Sequence, residues 1–595
     1  MAFFSPKNPL MRIMQVFLGI IALGGIVVVG TLLVEPSQSG GFLGYSAGRW
    51  AILIINSFIL ASIIFVFYKI SVNQASNLEH WLSRENNLFF LFFASFLIFL
   101  VSLPVSFGKV EAVRYFIYFG RIQPSLIWLS FSSGVFFLSL LIQQPSPLQN
   151  FFPDKENISN QPSLKKHQIV LMLGAGILYF VLQIQNFWIV REAKKLADSS
   201  DYTLPASTFA WNDLRLWTFT KPWGAAVFYK LVGVSPTSID LVQTIFSVFA
   251  WLMLAWAFSQ IIRNPWLRVV AFYFILGFSL ASSIQLWNHV IQSESLSISL
   301  MVLMLATWLL LVKKWHWAVF TLLIFLFAWW IGTRETNIYL SLLIAGILSL
   351  IGIFYKNQRF YWILSILIVI FSYQNMQISK TLTMKRWLYP LTNIVLHRIL
   401  PNEEFLAYFE EENMPISPEL LALSGNFAHH DDFALFNSMA LNDAETWMLK
   451  SGKKVYIQFL LAHPIYTLKS PWENLETLLS PKSVESYAPK KYAPFMAWLF
   501  GGIFYPNSLW LLLFLALITF VGIKFSLKNG SAFWLLFGFL LLFFPHFYLV
   551  WHGDALEVAR HAIQASIALR LALWLLLFLS VDIFLLTTDR NELAH

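Results

Sequence analysis

The chain has 595 residues, of which 58% are hydrophobic, 17% aromatic and only 12% charged. Soluble globular chains are close to a quarter charged, so soluble-enzyme, disordered and collagen-like classes are excluded and an all-α polytopic membrane protein is expected. The 40 basic and 31 acidic residues give a formal charge of +9. In so apolar a chain that excess suits topology and contact with membrane lipids, and nucleic acid is not an expected partner. With no Cys, disulfides, thiol nucleophiles and thiolate metal sites are also excluded.

Apolar runs able to cross about 30 Å of hydrocarbon fall near 13–34, 49–70, 87–106, 124–143, 168–190, 239–262, 266–287 and 295–313. Six more fall near 316–333, 335–354, 360–377, 506–526, 531–551 and 562–587. The first, Met14 to Leu33, follows Lys7 and Arg12, exceeds a signal-peptide core and lacks a small-residue cleavage site, so it reads as a retained span. About 14 transmembrane helices put both termini on one side. The basic pairs Lys69/Arg84, Lys165/Lys166, Arg263/Arg268, Lys313/Lys314, Lys356/Arg359 and Lys524/Lys528 make that side cytoplasmic. Opposite loops also carry Arg191, Lys194, Lys195, Lys221 and Lys230.

On this topology residues 1–143 form a four-span N-terminal unit, and 144–167 a Pro- and Ser-punctuated cytoplasmic linker. Residues 168–377 form a membrane core with an extracytoplasmic loop, 191–238. Residues 378–505 are an extracytoplasmic, mostly helical segment, and 506–595 hold three C-terminal spans. Within 378–505, Ser417-Pro418, Asn442-Asp443 and Ser470-Pro471 are expected to open helices.

Charges at the ends of apolar runs need a partner, water or a use. Asp198 and Asp201, followed by Tyr202, share a face if that turn is helical. They suit a general base, a divalent-cation site or a pair of helix caps. Arg215 to Gly224 mixes Trp with Lys221, a composition for lipid phosphate, a sugar face or an ordinary interfacial loop. Glu294, near His289 and Ser293, opens a span where the dipole favours an anion. Arg334 lies beside Glu335 with almost no loop, so it either pairs with a carboxylate or receives a phosphate. Arg560 and His561 stand at a helix start, against the dipole preference, which points to an anion nearby. Finding Arg560 buried in a pair with Glu557 or Asp554, remote from any cavity, would argue against a ligand. His429-His430-Asp431-Asp432 lacks zinc-site spacing, and no nucleotide, dinucleotide or HExxH motif occurs.

In order, these segments resemble the GT-C superfamily of membrane glycosyltransferases, over about 168–587. Asp198-Ser199-Ser200-Asp201-Tyr202 resembles its acidic first extracytoplasmic loop, and Lys221-Pro222-Trp223-Gly224 its Pro-containing segment before the next span. Ser293-Glu294, Thr333-Arg334 and Arg560-His561 resemble its charged span ends. The likeness is closer to the protein mannosyltransferase and lipid A aminoarabinose transferase branch than to oligosaccharyltransferases, whose WWDYG motif is missing. It implies inverting transfer of a sugar from a polyprenyl-phosphate-linked donor to an extracytoplasmic glycan, lipid or protein acceptor. Asp198 would be the base, from the Asp-x-x-x-Tyr spacing, with Asp201 beside it. Arg334, Arg560 and Lys221 would neutralise the departing phosphate. A bacterial inner membrane is the expected location. Two other classes stay open: a polysaccharide polymerase or ligase using His397, Arg398 and His463, and a lipid-linked sugar flippase or transporter.

Overall fold

The computed structural model describes residues 9–34, 47–72, 119–142, 164–218, 221–354, 360–382, 387–429, 438–480, 482–496, 499–506 and 531–592, with isolated positions between 95 and 102. The expected spans near 87–106 and 506–526, most of the linker, and His430, Asp431 and Asp432 lie wholly or largely outside these residues. Among the described residues every regular element is helical, and a single bridge between Lys194 and Val290 is the only strand-like pairing. Among the described residues, seven helices are long and apolar enough to cross a membrane. The pair Pro265–Ser279 and Ser282–His289, bent by 62°, supplies an eighth if counted as one.

The chain divides into two compact units. The first comprises 1–157, 512–530 and 577–595. In it, α1 (Pro9–Val34), α2 (Ala47–Ser71) and α3 (Phe119–Ile142) pack through Ile21, Val28, Leu32, Leu53, Leu60 and Trp128. Two long polar side chains between these helices find backbone partners, which suits a water-poor setting. The Trp128 indole donates to the Ile21 carbonyl at 2.9 Å, and the Arg49 guanidinium to that of Leu32 at 3.0 Å.

The second unit, 158–511 with 531–576, contains all the candidate site residues. Its membrane-type helices are α4 (Lys166–Val190), α5 (Pro236–Ser259), α6 (Pro265–Ser279), α7 (Glu294–Lys313), α8 (Trp317–Ile331), α9 (Glu335–Phe354), α10 (Phe360–Leu382) and α11, which begins at Ile563, together with the span Ala532–Gly553. Helix α7 is buried along nearly its whole length, and α11 throughout Ile563–Leu576. In contrast α4 exposes Val170, Leu173, Ile177 and Leu178, as suits a lipid-facing helix. The starts follow the capping rules: Ser235 and Asn264 accept from backbone N–H groups, and Pro236 and Pro265 stand at the first helical position.

Three local readings differ from the sequence expectation. The run 266–287 is not one straight helix but α6 and a short helical turn. Buried Ser279, Ser282, Ser283 and Gln285 surround the break, so polar groups there interrupt an otherwise apolar run. Helix α8 has 15 residues, about 22 Å of rise, and falls short of a bilayer unaided. In the 387–480 segment, Ser417 caps its helix and Asn442 starts one as expected, but Pro471 lies inside the helix Pro464–Glu473. That helix starts at Pro464, whose missing N–H costs nothing in the first turn. The short helices there share a core of Leu391, Val395, Phe409, Leu420, Met448 and Phe459.

Candidate active site

The stretch 289–293, which runs from the end of the helical turn Leu286–His289 through extended Val290 to the residue before α7, is the frame of the site. Its carbonyls are taken up one after another by different elements, which satisfies backbone groups that burial would otherwise leave costly. His289 O accepts from the Lys194 N–H (2.8 Å) and Val290 O from the Gln243 amide (3.3 Å). Ile291 O accepts from the Ser199 hydroxyl (2.7 Å) and Gln292 O from the Tyr229 hydroxyl (2.7 Å). Beneath it Asp240 and His289, both with fully buried side chains, pair at 2.8 Å. The frame therefore arrives at α7 with Gln292, Ser293 and Glu294 fixed.

Five helix ends converge on it. Asp198 sits in the turn Ala197–Ser199, and Asp201 and Tyr202 start the helix Ser200–Thr208. Lys221 precedes the helix Trp223–Val232. Arg334 lies in the turn between α8 and α9, and Arg560 and His561 in the turn Val558–His561 before α11. Glu557 opens that turn in the left-handed region, φ 52. This conformation costs a non-glycine residue about 1 kcal/mol. Gly224 lets the Trp223–Val232 helix touch the end of α8: its N–H donates to Gly332 O at 2.6 Å, where a Cβ would lie 2.8 Å from that oxygen.

All eight residues singled out in the sequence fall into one connected cluster. Asp198 Oδ2 lies 3.3 Å from Lys221 Nζ and 3.2 Å from Arg560 Nη2, while its Oδ1 accepts from the Gln292 amide. Lys221 Nζ also reaches Asp201 Oδ2, at 3.7 Å, so the cation between the two aspartates is this ammonium. It stands 5.8 Å from the centre of the Tyr202 ring, and the Tyr202 hydroxyl donates to Ser293 Oγ at 3.4 Å. Arg560 binds two further carboxylates: Glu294 (Nε–Oε1, 3.1 Å) and Glu557 (Nη1–Oε2, 2.7 Å). Arg334 lies 3.6 Å from the same Glu294 oxygen and donates to His561 Nδ1 at 3.1 Å. An arginine has only donors, so His561 Nδ1 is the bare nitrogen and the ring proton is on Nε2, 3.9 Å from Asp554 Oδ2. Arg560 is thus paired with Glu557, but in the midst of the other charges rather than apart from them.

The electrostatics follow from burial and pairing together. Burial alone would raise the Asp198 carboxyl, yet the charges of Arg560 and Lys221 and the hydrogen bonds from Gln292 and Lys221 outweigh it and lower it to about 2. Arg560 shows the mirror effect: burial opposes its charge, and Glu294, Asp198 and Glu557 more than restore it. Burial and the neighbouring Arg560, Arg334 and Lys221 push His561 well below its ordinary value, so it is neutral. Among the described residues, no three of His, Asp and Glu converge as metal ligands.

Sequence reasoning missed several participants. Gln292 is neutral and gives no charge signal. Tyr487 comes from the segment before the last spans, donates to Glu557 at 2.6 Å and lies under the Arg560 guanidinium. Asp240, past the first turn of α5, was not singled out. Arg570 lies inside an apolar run, where a lone charge signals a buried partner. It is fully buried and donates to the carbonyls of Pro506 (2.7 Å) and Leu479 (2.9 Å), a structural clamp. Of the residues of the polymerase reading, Arg398 borders the cluster through Asp554, which faces His561. His397 and His463 each meet a backbone carbonyl with Nδ1 at 3.0 Å, Gly425 O and Phe459 O, while Arg398 donates to the carbonyls of Trp551 and Asp554.

No protein-family model matches the chain, and no curated protein matches it. Its chemistry is read from the cluster itself. The half-buried, ionised Asp198 stands beside fixed cations and near a carboxylate oxygen, Glu294 Oε2, that has no hydrogen-bond partner among the described residues.

Proposed function

We propose that the chain is an inverting glycosyltransferase of GT-C type, with about fourteen crossings, that moves a sugar from a polyprenyl-phosphate-linked donor to an extracytoplasmic acceptor. The observation that carries the reading is the junction of Asp198 with Lys221 and Arg560. Transfer from a lipid phosphate needs a base for the acceptor hydroxyl and cations for the leaving phosphate within a few ångströms of each other. Asp198 takes the proton as the acceptor oxygen bonds to the anomeric carbon. The bond from that carbon to the phosphate oxygen breaks, and Arg560 and Lys221 hold the charge that leaves. Arg334 reaches this centre through Glu294 and keeps its second face on His561.

The order of the acidic, Lys-Pro and basic segments in the sequence supports the same reading. The polymerase alternative is less favoured, because the ring contacts of His397 and His463 are to backbone carbonyls. A flippase or transporter is expected to hold its charges near the middle of broken spans, whereas these stand at helix ends. The acceptor and the bacterial inner-membrane location belong to the proposal as well. Membranes carrying the chain, supplied with polyprenyl-phosphate sugars labelled in the glycosyl unit, test it. Label should move into the glycan, lipid or protein fraction. Label that stays in the lipid-phosphate pool for every sugar, or that crosses the membrane without transfer, refutes the reading.

A further inference from the structure

We infer, building on the glycosyltransferase reading, that the donor itself releases the base: its phosphate displaces Asp198 from Arg560 and Lys221, so the carboxylate becomes free to accept a proton only when the donor is seated. Without donor, Asp198 has no idle oxygen. Oδ2 is shared by Lys221 at 3.3 Å and Arg560 at 3.2 Å, and Oδ1 accepts from Gln292. Four carboxylates, Asp198, Asp201, Glu294 and Glu557, already face the cations Lys221, Arg334 and Arg560. A lipid phosphate cannot add to this cluster without taking a cation from one of them.

Geometry selects which one. Among the described residues, Asp198 is the carboxylate that Lys221 and Arg560 hold in common, so a phosphate bridging those two cations arrives where Asp198 is bound. The other partners of Arg560 are held more firmly. Glu294 is 1% exposed and also faces Arg334, and Glu557 is held at 2.7 Å with a second bond from Tyr487. Among the described residues, the ion pair of Asp201 is with Lys221, at 3.7 Å. Once the cations turn to phosphate, burial remains as the main influence on Asp198 and raises its proton affinity. The neutral His561 lies beside the same cations and adds no charge.

If Asp198 and phosphate compete for the same two cations, removing the Asp198 charge strengthens phosphate binding. The probe is dodecyl phosphate, titrated into the full-length wild-type, Asp198→Asn and Asp201→Asn proteins in neutral detergent, with dodecanol as the uncharged control. Asp198→Asn should bind dodecyl phosphate about tenfold more tightly than wild type, Asp201→Asn should change less, and dodecanol should not discriminate. Equal or weaker binding by a folded Asp198→Asn protein overturns the release mechanism while leaving the lipid-phosphate site in place. Absence of phosphate-dependent binding by all three proteins overturns the glycosyltransferase reading and this mechanism with it.

Discussion

Asp198 and Arg560 are 362 positions apart in the chain and 3.2 Å apart in space. The contact joins the first loop of the second unit to the turn before its last helix, and the same guanidinium holds Glu294 and Glu557. Arg560 therefore closes the site and also compensates three buried or half-buried carboxylates.

Its removal should destabilise the protein rather than weaken substrate use alone. Arg560→Gln leaves Asp198, Glu294 and Glu557 close together without their shared cation, a loss of about 3 kcal/mol or more. Adding Glu557→Gln removes one of the stranded charges, so the double variant should recover about 1 kcal/mol relative to the single one. Melting in detergent measures both. Additive losses would show that Glu557 and Arg560 are not coupled.

Acid sensitivity has a defined sign. The Asp198 carboxyl lies near 2 in the folded chain against an ordinary 3.8, so the unfolded chain binds the proton first. The stabilisation is complete above pH 4 and is lost as pH falls toward 2, on the order of 2 kcal/mol in all. The melting midpoint of Asp198→Asn should therefore fall less steeply over that window than wild type. Parallel curves would show that Asp198 is not held by these cations.

Close backbone approach makes Gly224 a packing requirement. In Gly224→Ala the new methyl meets the Gly332 carbonyl at 2.8 Å, whereas at Gly346 nothing lies within 4 Å. Gly224→Ala should cost about 1–3 kcal/mol and lower activity by shifting Lys221. Gly346→Ala should be neutral in both melting and turnover.

The Asp240–His289 pair supports the frame from below. His289→Ala takes the ring partner from the buried Asp240 carboxyl and leaves it only the neighbouring Thr244 hydroxyl, at a cost of about 2–3 kcal/mol. Asp240→Asn retains an acceptor for the ring N–H and should lose far less. Melting curves for the two variants separate these outcomes, and equal losses would contradict the pairing.

Much of the site was legible because charge at the end of an apolar run is costly and so conspicuous. That signal marked Asp198, Glu294, Arg334 and Arg560, while Lys221 was marked by the Trp-rich loop around it. It carried no partner information: pairings across 362 residues, or between Asp198 and Gln292 across 94, leave no local trace. Gln292 and Tyr487 are neutral and escaped notice for that reason. The bend after Ser279 was lost because an average over an apolar window dilutes a few serines and a glutamine. Helix existence was read well where runs were long, as for Lys166–Val190 and Glu294–Lys313. Helix starts among the short helices of 387–480 were read less reliably, since proline marks both first turns and interiors.

The most direct measurement is the release of free polyprenyl phosphate from polyprenyl-phosphate sugars by purified protein in lipid vesicles, with a cell-envelope glycan and lipid extract as acceptor. Wild type should release it, and Asp198→Asn should do so at least about a hundredfold more slowly while still binding the lipid. Release by Asp198→Asn at the wild-type rate would contradict the assignment of Asp198 as the base and, with it, the chemistry proposed for this site.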